Sequence, residues 1–222
     1  DGEFTGVVYN HSALRQHCEA GSLVLNFDVD DVYWCTAEFG TLEGIAFGIL
    51  APWMNGITLY VVDNDIDSSS FFERVQSVKI TLACVTSQIL DNLMQSGFDM
   101  PKYFNLSTLR HVICVGKPPS YENIDWCLTA MEKLLYYYWC EPETGTVVLG
   151  NRQFLRDKSD HIVVSPLFGI AAKVVDSNYC TVTPEIEGFL ALKASWPAMF
   201  IEYWDATELY DSKFYKGWYV SD

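Results

Sequence analysis

Two short loops of the sequence concentrate side chains that are able to do chemistry. One loop is Gly116-Lys117-Pro118-Pro119, and the other, residues 141–146, holds two carboxylates, two hydroxyls and a glycine. A carboxylate in such a loop can hold Mg²⁺ beside a phosphate group, while hydroxyls and backbone amides donate hydrogen bonds to the phosphate oxygens. The same residue types also form ordinary polar turns, so composition alone leaves both interpretations open.

Both loops follow segments that the sequence predicts to be neighbouring strands. Predicted strands cover residues 57–62, 79–85, 111–115 and 136–140. Predicted helices lie between them at residues 71–76, 87–95 and 120–135. This alternation indicates right-handed β-α-β units and a mostly parallel sheet. Because open α/β sheets bind ligands beyond the carboxyl ends of their strands, both loops are predicted to lie at the ligand-binding edge.

The segments before and after these β-α-β units predict how the fold begins and how it ends. The uncharged run at residues 45–62 is interrupted by Pro52 and Asn55-Gly56, which favours a helix ending before Pro52, a turn and a strand over a membrane span. Short β-like runs lie at residues 162–164, 171–175, 180–183 and 189–193. We therefore expect an α/β fold, with a mostly parallel sheet and flanking helices in residues 1–150 and a small antiparallel β subdomain in residues 151–222.

Charge and cysteine content restrict the partners and the compartment. The 222 residues include 14 basic and 29 acidic ones, a formal net charge of −15, which argues against nucleic acid or an anionic membrane as a partner. The seven cysteines form no CxxC pair, and Cys84 and Cys114 lie in apolar runs. This pattern predicts buried free thiols in a reducing compartment, which favours the cytoplasm.

Several motifs occur in the same order as in a known family. They are DVYWCTAEFG at 31–40, APWMNG at 51–56, LSTLRHV at 106–112, VGKP at 115–118, YWCEPETG at 138–145, EGFLA at 187–191, WPAM at 196–199 and KGWYVS at 216–221. Together they resemble the acetyl-CoA synthetase branch of the AMP-forming acyl-CoA synthetases over nearly the whole chain. The resemblance implies a ligase that activates a small carboxylic acid with ATP as acyl-AMP and transfers the acyl group to CoA, with Mg²⁺ as the metal.

The resemblance also implies roles for individual residues. It assigns catalysis to Glu143 and Thr144, with Glu143 as the Mg²⁺ ligand. Trp139 and Cys140 fall on paired tryptophans of the family, of which the second closes the acyl pocket. The residues that it assigns to nucleotide binding are Gly116, Lys117, Pro118, Glu141, Pro142, Gly145 and Asp222.

Three departures from the family pattern leave a second function open. Pro142 stands where the family has a phosphate-binding threonine, and proline offers neither an N–H nor a hydroxyl. Residues 2–8 stand at the phosphate loop TGxPKGV without its lysine, and the sequence ends at Asp222, before the family's C-terminal domain. We therefore expect this chain alone to be inactive. The alternative function is a non-catalytic relative that binds nucleotide or CoA, or serves protein interaction, with exposed apolar surface that suits a homodimer.

Overall fold

The computed structural model describes residues 5–63, 66–151 and 164–221. Asp222, most of the predicted strand at residues 162–164 and the start of the segment at the phosphate-loop position lie outside the described residues. Within them, the helices are α1 (Ser12–Leu23), α2 (Ala51–Met54), α3 (Ser68–Val78), α4 (Ser87–Gln95), α5 (Tyr121–Thr129) and α6 (Thr207–Ser212). A π-helical segment, Glu43–Leu50, leads directly into α2, and short 3-10 turns occupy Met100–Tyr103 and Pro142–Thr144.

The strands form one large sheet and two small ones in the described residues. They are β1 (Val7–Val8), β2 (Val32–Cys35), β3 (Thr58–Tyr60), β4 (Leu82–Thr86), β5 (His111–Val115), β6 (Leu134–Trp139), β7 (Leu149–Gly150), β8 (Ser165–Pro166), β9 (Ala172–Val175), β10 (Phe189–Lys193), β11 (Glu202–Tyr203), β12 (Phe214–Tyr215) and β13 (Trp218–Val220). The large sheet has the order β3-β2-β4-β5-β6-β7-β8 and is parallel from β3 to β6. An antiparallel sheet follows the order β12-β13-β10-β9, and β1 pairs with β11. The predicted fold class is confirmed.

The large sheet is apolar on both faces because helices cover both of them. Along β2, Trp34 stacks on Phe71 of α3 with ring centroids 5.1 Å apart, whereas Tyr33 points to the other face and meets Phe27 at 4.9 Å. The helices α3, α4 and α5 pack on the Trp34 face, and α1, the π-helical segment and α2 pack on the Tyr33 face. This burial on both sides explains why β4 and β5 read as continuous apolar runs.

The predicted ends of the helices at residues 45–51 and 120–135 are wrong. The helix at residues 45–51 does not end before Pro52, because the π-helical segment continues into α2, whose first turn contains Pro52. Pro52 has no N–H to pair with the preceding turn, and it lies where the π-helical hydrogen-bond pattern changes to that of α2. The helix at residues 120–135 ends at Thr129. The apolar spacing continues to Met131 and Leu135 because the following turn and β6 bury these two side chains in the same core. In the described residues no helix is long and apolar enough to cross a bilayer.

The predicted strands also differ at their ends. The strand expected at residues 79–85 begins at Leu82, because Lys79 adopts a left-handed φ of 60° and ends α3 two residues later than predicted. The run at residues 180–183 forms no strand; Thr181 makes a single bridge to Val175. Five of the seven cysteines, including Cys84 and Cys114, are buried free thiols as predicted, whereas Cys180 is exposed.

One ion pair, between the buried Asp31 carboxylate and the more exposed Arg110 guanidinium, links the amino ends of three adjacent strands. Asp31, Thr81 and Arg110 are each followed directly by a strand segment, and the Asp31 side chain is only 3% exposed. Arg110 Nη2 donates to Asp31 Oδ2 at 2.5 Å and its Nε donates to Oδ1 at 3.1 Å, while the Thr81 hydroxyl donates to Oδ1 at 2.6 Å. Burial alone would raise the pKa of Asp31, but these hydrogen bonds outweigh it and hold the pKa below its usual value.

We predict that Asp31→Asn lowers the free energy of unfolding by about 2–3 kcal/mol at pH 7, the loss expected for hydrogen bonds to a charged group. Because the pKa is lowered in the folded state, this contribution is complete above the ordinary carboxyl pKa, about 4, and disappears as the pH falls through the lowered value. Urea titrations of both proteins from pH 7 down to pH 3 measure this. The control is Asp99→Asn, which removes the exposed pair between Asp99 and Lys102 and should change nothing measurable. Equal losses in the two variants would contradict the prediction.

Candidate functional site

The loops after β5 and β6 lie side by side at the carboxyl edge of the large sheet. β5 continues into Gly116, which has a φ of +84°, and the exposed residues Lys117 and Pro118. The hydroxyl of Tyr137 in β6 donates to the carbonyl of Gly116 at 2.9 Å and so ties this loop to the neighbouring strand. The structure thus brings together the two loops that the sequence singled out.

The turn at residues 141–145 is held by the hydroxyl of Thr144. This side chain is fully buried, and its Oγ1 accepts from the Glu141 amide at 3.1 Å. The same hydroxyl lies 2.9 Å from the Glu141 carbonyl and 2.8 Å from the Thr146 carbonyl, each an acceptor for its single proton. The Thr144 hydroxyl is therefore used within the turn, where it fixes the path of the backbone.

The first carboxylate of the turn, Glu141, faces the small antiparallel sheet. Its Oε1 accepts from the Tyr219 hydroxyl at 2.6 Å, and its Oε2 accepts from the Ser221 hydroxyl at 3.1 Å. Burial raises the pKa of Glu141, although both hydrogen bonds oppose the rise. Glu141 therefore connects the turn to β13 and the residue that follows it.

The second carboxylate, Glu143, is also half-buried, but it has fewer hydrogen-bond partners among the described residues. Its Oε1 accepts from the Tyr203 hydroxyl at 2.5 Å, and its carbonyl accepts from the Phe200 amide at 3.1 Å. Its Oε2 accepts no hydrogen bond from the residues that the structure describes. One oxygen of Glu143 is thus oriented by the protein while the other remains available.

At Gly145, the turn packs closely against the segment after β10. Gly145 has a φ of +65°, and a Cβ there would lie 1.8 Å from the carbonyl oxygen of Ala198. The indole N–H of Trp196 donates to the Thr144 carbonyl at 2.8 Å. The backbone approaches so closely that only glycine fits this position.

Two cavities adjoin these loops. One, which we call the edge cavity, has a volume of about 890 Å³ and lies beyond β2, β4 and β5; its lining includes Thr36, Glu38, Glu43, Thr86, Gly116 and Lys117. The other, which we call the helix cavity, has a volume of about 830 Å³ and is mostly apolar; its lining includes Tyr9, Ala13, His17, Leu42, Glu43 and Pro142. Glu43 borders both cavities.

Glu43 is the site residue that the sequence motifs did not reveal. Its Oε1 lies 3.9 Å from the Cys140 thiol sulfur, and it would lie 3.8 Å from a Cβ at Gly116. Burial, with the nearby Glu43 carboxylate, raises the pKa of Cys140 well above its usual value and keeps the thiol neutral. The available signal was a single acid at the start of an otherwise uncharged helical segment.

Of the two residues assigned to the acyl pocket, Cys140 contacts Glu43. Cys140 is 5% exposed, and Trp139 is half-buried between two parts of the core. Neither side chain contributes to the described lining of the edge cavity or the helix cavity. Pro142 is exposed, and its carbonyl accepts from the Tyr9 hydroxyl at 2.5 Å.

The described residues contain no group of three or more His, Cys, Asp and Glu side chains that could hold a metal ion together. Mg²⁺ usually binds to one or two carboxylates plus phosphates of the substrate, and keeps several waters. The single available oxygen of Glu143 therefore fits a Mg²⁺ ion that arrives with a nucleotide.

Known proteins resemble this chain in sequence and in fold. The family model described as AMP-binding enzyme matches residues 2–204. The acetyl-coenzyme A synthetase of Bacillus subtilis (strain 168) is 33% identical over 217 residues, which are 97% of this chain and 38% of that protein. The acetyl-coenzyme A synthetase of Pyrobaculum arsenaticum is 28% identical over 235 residues, covering all of this chain and 35% of that protein. The chain thus spans little more than a third of the length of these relatives.

Solved structures show the same fold at low identity. The Brucella canis acyl-CoA synthetase superposes with a TM-score of 0.87 and 19% identity, over 100% of this chain and 41% of that one. The anthranilate CoA ligase AuaEII, solved in complex with anthranoyl-AMP, superposes with a TM-score of 0.86 and 18% identity, over 99% of this chain and 42% of that one.

We predict that Gly145→Ala destabilises the protein more than Gly56→Ala. Both glycines have positive φ, so both substitutions carry a conformational cost of about 1–2 kcal/mol. A Cβ at Gly56 meets nothing within 4 Å, whereas at Gly145 it collides with the Ala198 carbonyl and adds about 1–3 kcal/mol of overpacking. Unfolding by guanidinium chloride measures the difference, and equal losses would show that the turn is not fixed by this contact.

Proposed function

The chain belongs to the AMP-binding enzyme family, and on that premise we propose that it forms the nucleotide-binding and acyl-binding part of an acyl-CoA synthetase-like ligase. The proposed substrates are a small carboxylic acid, ATP and CoA. The observation that carries the proposal is the position of two neighbouring loops at one edge of the parallel sheet: the Gly116 loop, which lines the edge cavity, and the turn that carries Glu143, which follows the adjacent strand β6. Ligands of open α/β sheets bind at this edge.

The Gly116 loop is proposed to contact the base and ribose of the nucleotide. A Cβ at Gly116 would meet one neighbouring atom, Glu43 Oε1 at 3.8 Å, so the bare backbone leaves room for a flat ring to approach closely. Lys117 and Pro118 are exposed on the same loop. We propose that these two residues border the nucleotide, and that Asp222 contributes as the family pattern implies.

The turn at residues 141–145 is proposed to face the phosphates. Glu143 would hold Mg²⁺, and a bound Mg²⁺ would neutralise charge on the phosphate oxygens. Thr144 acts here as a positioning residue, since its hydroxyl is engaged with backbone groups of the turn. Glu141 and Gly145 fix the turn from its two ends, through β13 and through the close contact with Ala198.

The proposed reaction proceeds in two displacements. A carboxylate oxygen of the acid attacks the α-phosphorus of ATP, the bond to the β-phosphate oxygen breaks, and pyrophosphate leaves. The thiolate of CoA then attacks the acyl carbonyl, and AMP leaves with the bonding electrons. In both steps this chain binds and orients the reactants, and correct placement alone lowers such barriers by several kcal/mol.

A second candidate function is nucleotide or CoA binding without catalysis. Pro142 favours it, because proline gives the phosphates neither a hydroxyl nor an N–H, and its carbonyl is already paired with Tyr9. The two candidates are separated by pyrophosphate release from ATP, in the presence of acid and CoA, by a chimaera in which this chain replaces the matching part of the Bacillus subtilis acetyl-coenzyme A synthetase. Turnover near 1 s⁻¹ would establish the ligase, whereas binding without turnover would favour the second function.

We predict that Glu143→Gln removes the Mg²⁺ dependence of ADP binding. In the unchanged protein, ADP with Mg²⁺ should bind roughly tenfold more tightly than ADP with EDTA, because a charged ligand joins the carboxylate to the phosphates. The glutamine keeps an acceptor for Tyr203 but loses the charge, so the ratio should fall to about one. Calorimetric titrations measure both affinities.

The control for this prediction is Glu187→Gln, an equal change of charge at an exposed position far along the chain. It should leave the Mg²⁺ dependence unchanged. If Glu143→Gln retains the full tenfold ratio, the metal is held elsewhere and the assignment of Glu143 is wrong.

We also predict that Cys140 sets the length of the acyl chain. The family has an indole at this position, and each additional buried CH₂ of substrate contributes up to about 0.8 kcal/mol, so a butanoyl group should be favoured over an acetyl group by roughly tenfold. Cys140→Trp should abolish this preference, because the indole fills the space. The affinities of acetyl and butanoyl sulfamoyl-adenosines, which mimic acyl-AMP, measure it. Cys180→Trp, at an exposed site, should have no effect; an unchanged preference in Cys140→Trp would refute the assignment.

A further inference from the structure

The Glu43 carboxylate lies at the border of both cavities. Among the described residues, no lysine, arginine or histidine lies within 4 Å of its oxygens. Its hydrogen-bonding contact there is the Cys140 thiol, with the sulfur 3.9 Å from Oε1. A neutral thiol is a weak donor, so this contact replaces little of the hydration that the carboxylate would lose in an occupied site.

The charges around the edge cavity add to the cost of removing water from Glu43, because most of them are negative. Among the described residues, the edge cavity is bordered by the carboxylates of Glu38, Glu43 and Asp91 and by one ammonium, that of Lys117. Asp91 already accepts a hydrogen bond from the Asn123 amide at 3.0 Å, and Glu38 is exposed to solvent. Glu43 is the half-buried carboxylate of this set whose only described hydrogen-bonding contact is the weak thiol donor.

The identity of the substrate decides whether Glu43 helps or hinders binding. A purely apolar acyl chain would remove water from the carboxylate without replacing its hydrogen bonds, and this cost would offset part of the gain from burying CH₂ groups. An ammonium group would replace that water with a charge-assisted hydrogen bond. The position of Glu43 against Cys140, the residue assigned to the acyl pocket, puts this choice at the acyl end of the substrate.

Resting on the proposed function, we infer that Glu43 selects a short carboxylic acid that carries an ammonium group, which donates to the Glu43 carboxylate at the border of the edge cavity and the helix cavity. Glu43 is then a specificity-determining residue. The reaction remains the one proposed above, with the carboxylate of this amino acid attacking ATP and its ammonium group unchanged.

Two acyl groups of equal size test this inference. The 3-aminopropanoyl and butanoyl groups have the same number of heavy atoms and differ in a terminal ammonium or methyl group. Attached to sulfamoyl-adenosine, they give two stable mimics of acyl-AMP, whose affinities for the 222-residue chain are measured by calorimetry beside that of AMP. We expect the amino compound to bind roughly tenfold or more tightly than the butanoyl compound.

Variants of the chain test whether the difference in affinity between the two compounds depends on Glu43. Glu43→Gln should reduce the ratio of the two affinities to about one, whereas Glu38→Gln, the same change of charge at another acid of the edge cavity, should leave it intact. Glu43→Lys should prefer a 3-carboxypropanoyl compound over both others, which gives a gain of binding that an unfolded variant could not show.

The outcomes separate this inference from the proposed function. If AMP and both compounds bind, but with equal affinity or with the butanoyl compound favoured, the role of Glu43 is overturned and the proposed function stands. An equal loss of selectivity in Glu38→Gln also overturns it, because the effect would then belong to the cavity as a whole. If neither compound nor AMP binds, the proposed function itself is refuted.

Discussion

The geometry of the candidate site depends on the way the turn at residues 141–145 is held between two sheets. The turn leaves the large sheet at β6, and its Glu141 carboxylate accepts from Tyr219 and Ser221 at the small antiparallel sheet. Trp196, in the segment after β10 of the same small sheet, donates to the Thr144 carbonyl of the turn. Buried polar groups require partners, so displacement of the small sheet would leave several of these groups unpaired. The small sheet therefore positions a site whose backbone belongs to the large one.

In this arrangement the three acids of the site have different roles. Glu141 is bound by two hydroxyls and serves the structure, while Glu143 keeps an oxygen available beside the phosphates of a proposed nucleotide. Glu43 reaches the same region from the π-helical segment and meets Cys140 there. Three carboxylates of one chemical type thus differ in their partners, and those partners decide what each is able to bind.

The fold could be predicted from the sequence where the hydrophobic pattern and the sheet topology agree. Continuous apolar strands separated by helices predicted a parallel sheet, and such a sheet necessarily brings the loops after β5 and β6 to one edge. The end of α5 could not be predicted, because Met131 in the following turn and Leu135 in β6 continue the apolar spacing of the helix. Glu43 was missed because its neighbour Cys140 is 97 residues away along the chain. The division of the chain at residue 150 stays a prediction.

The central claim is that a nucleotide binds between the Gly116 loop and the turn at residues 141–145. Amide resonances recorded by NMR while AMP is added to the 222-residue chain test it most directly. The account predicts that the amides of Gly116 and Gly145 shift together with one saturation curve, while that of Gly97, after the far end of α4, does not move. Shifts confined to β9 and β10, or none at saturating AMP, would contradict it.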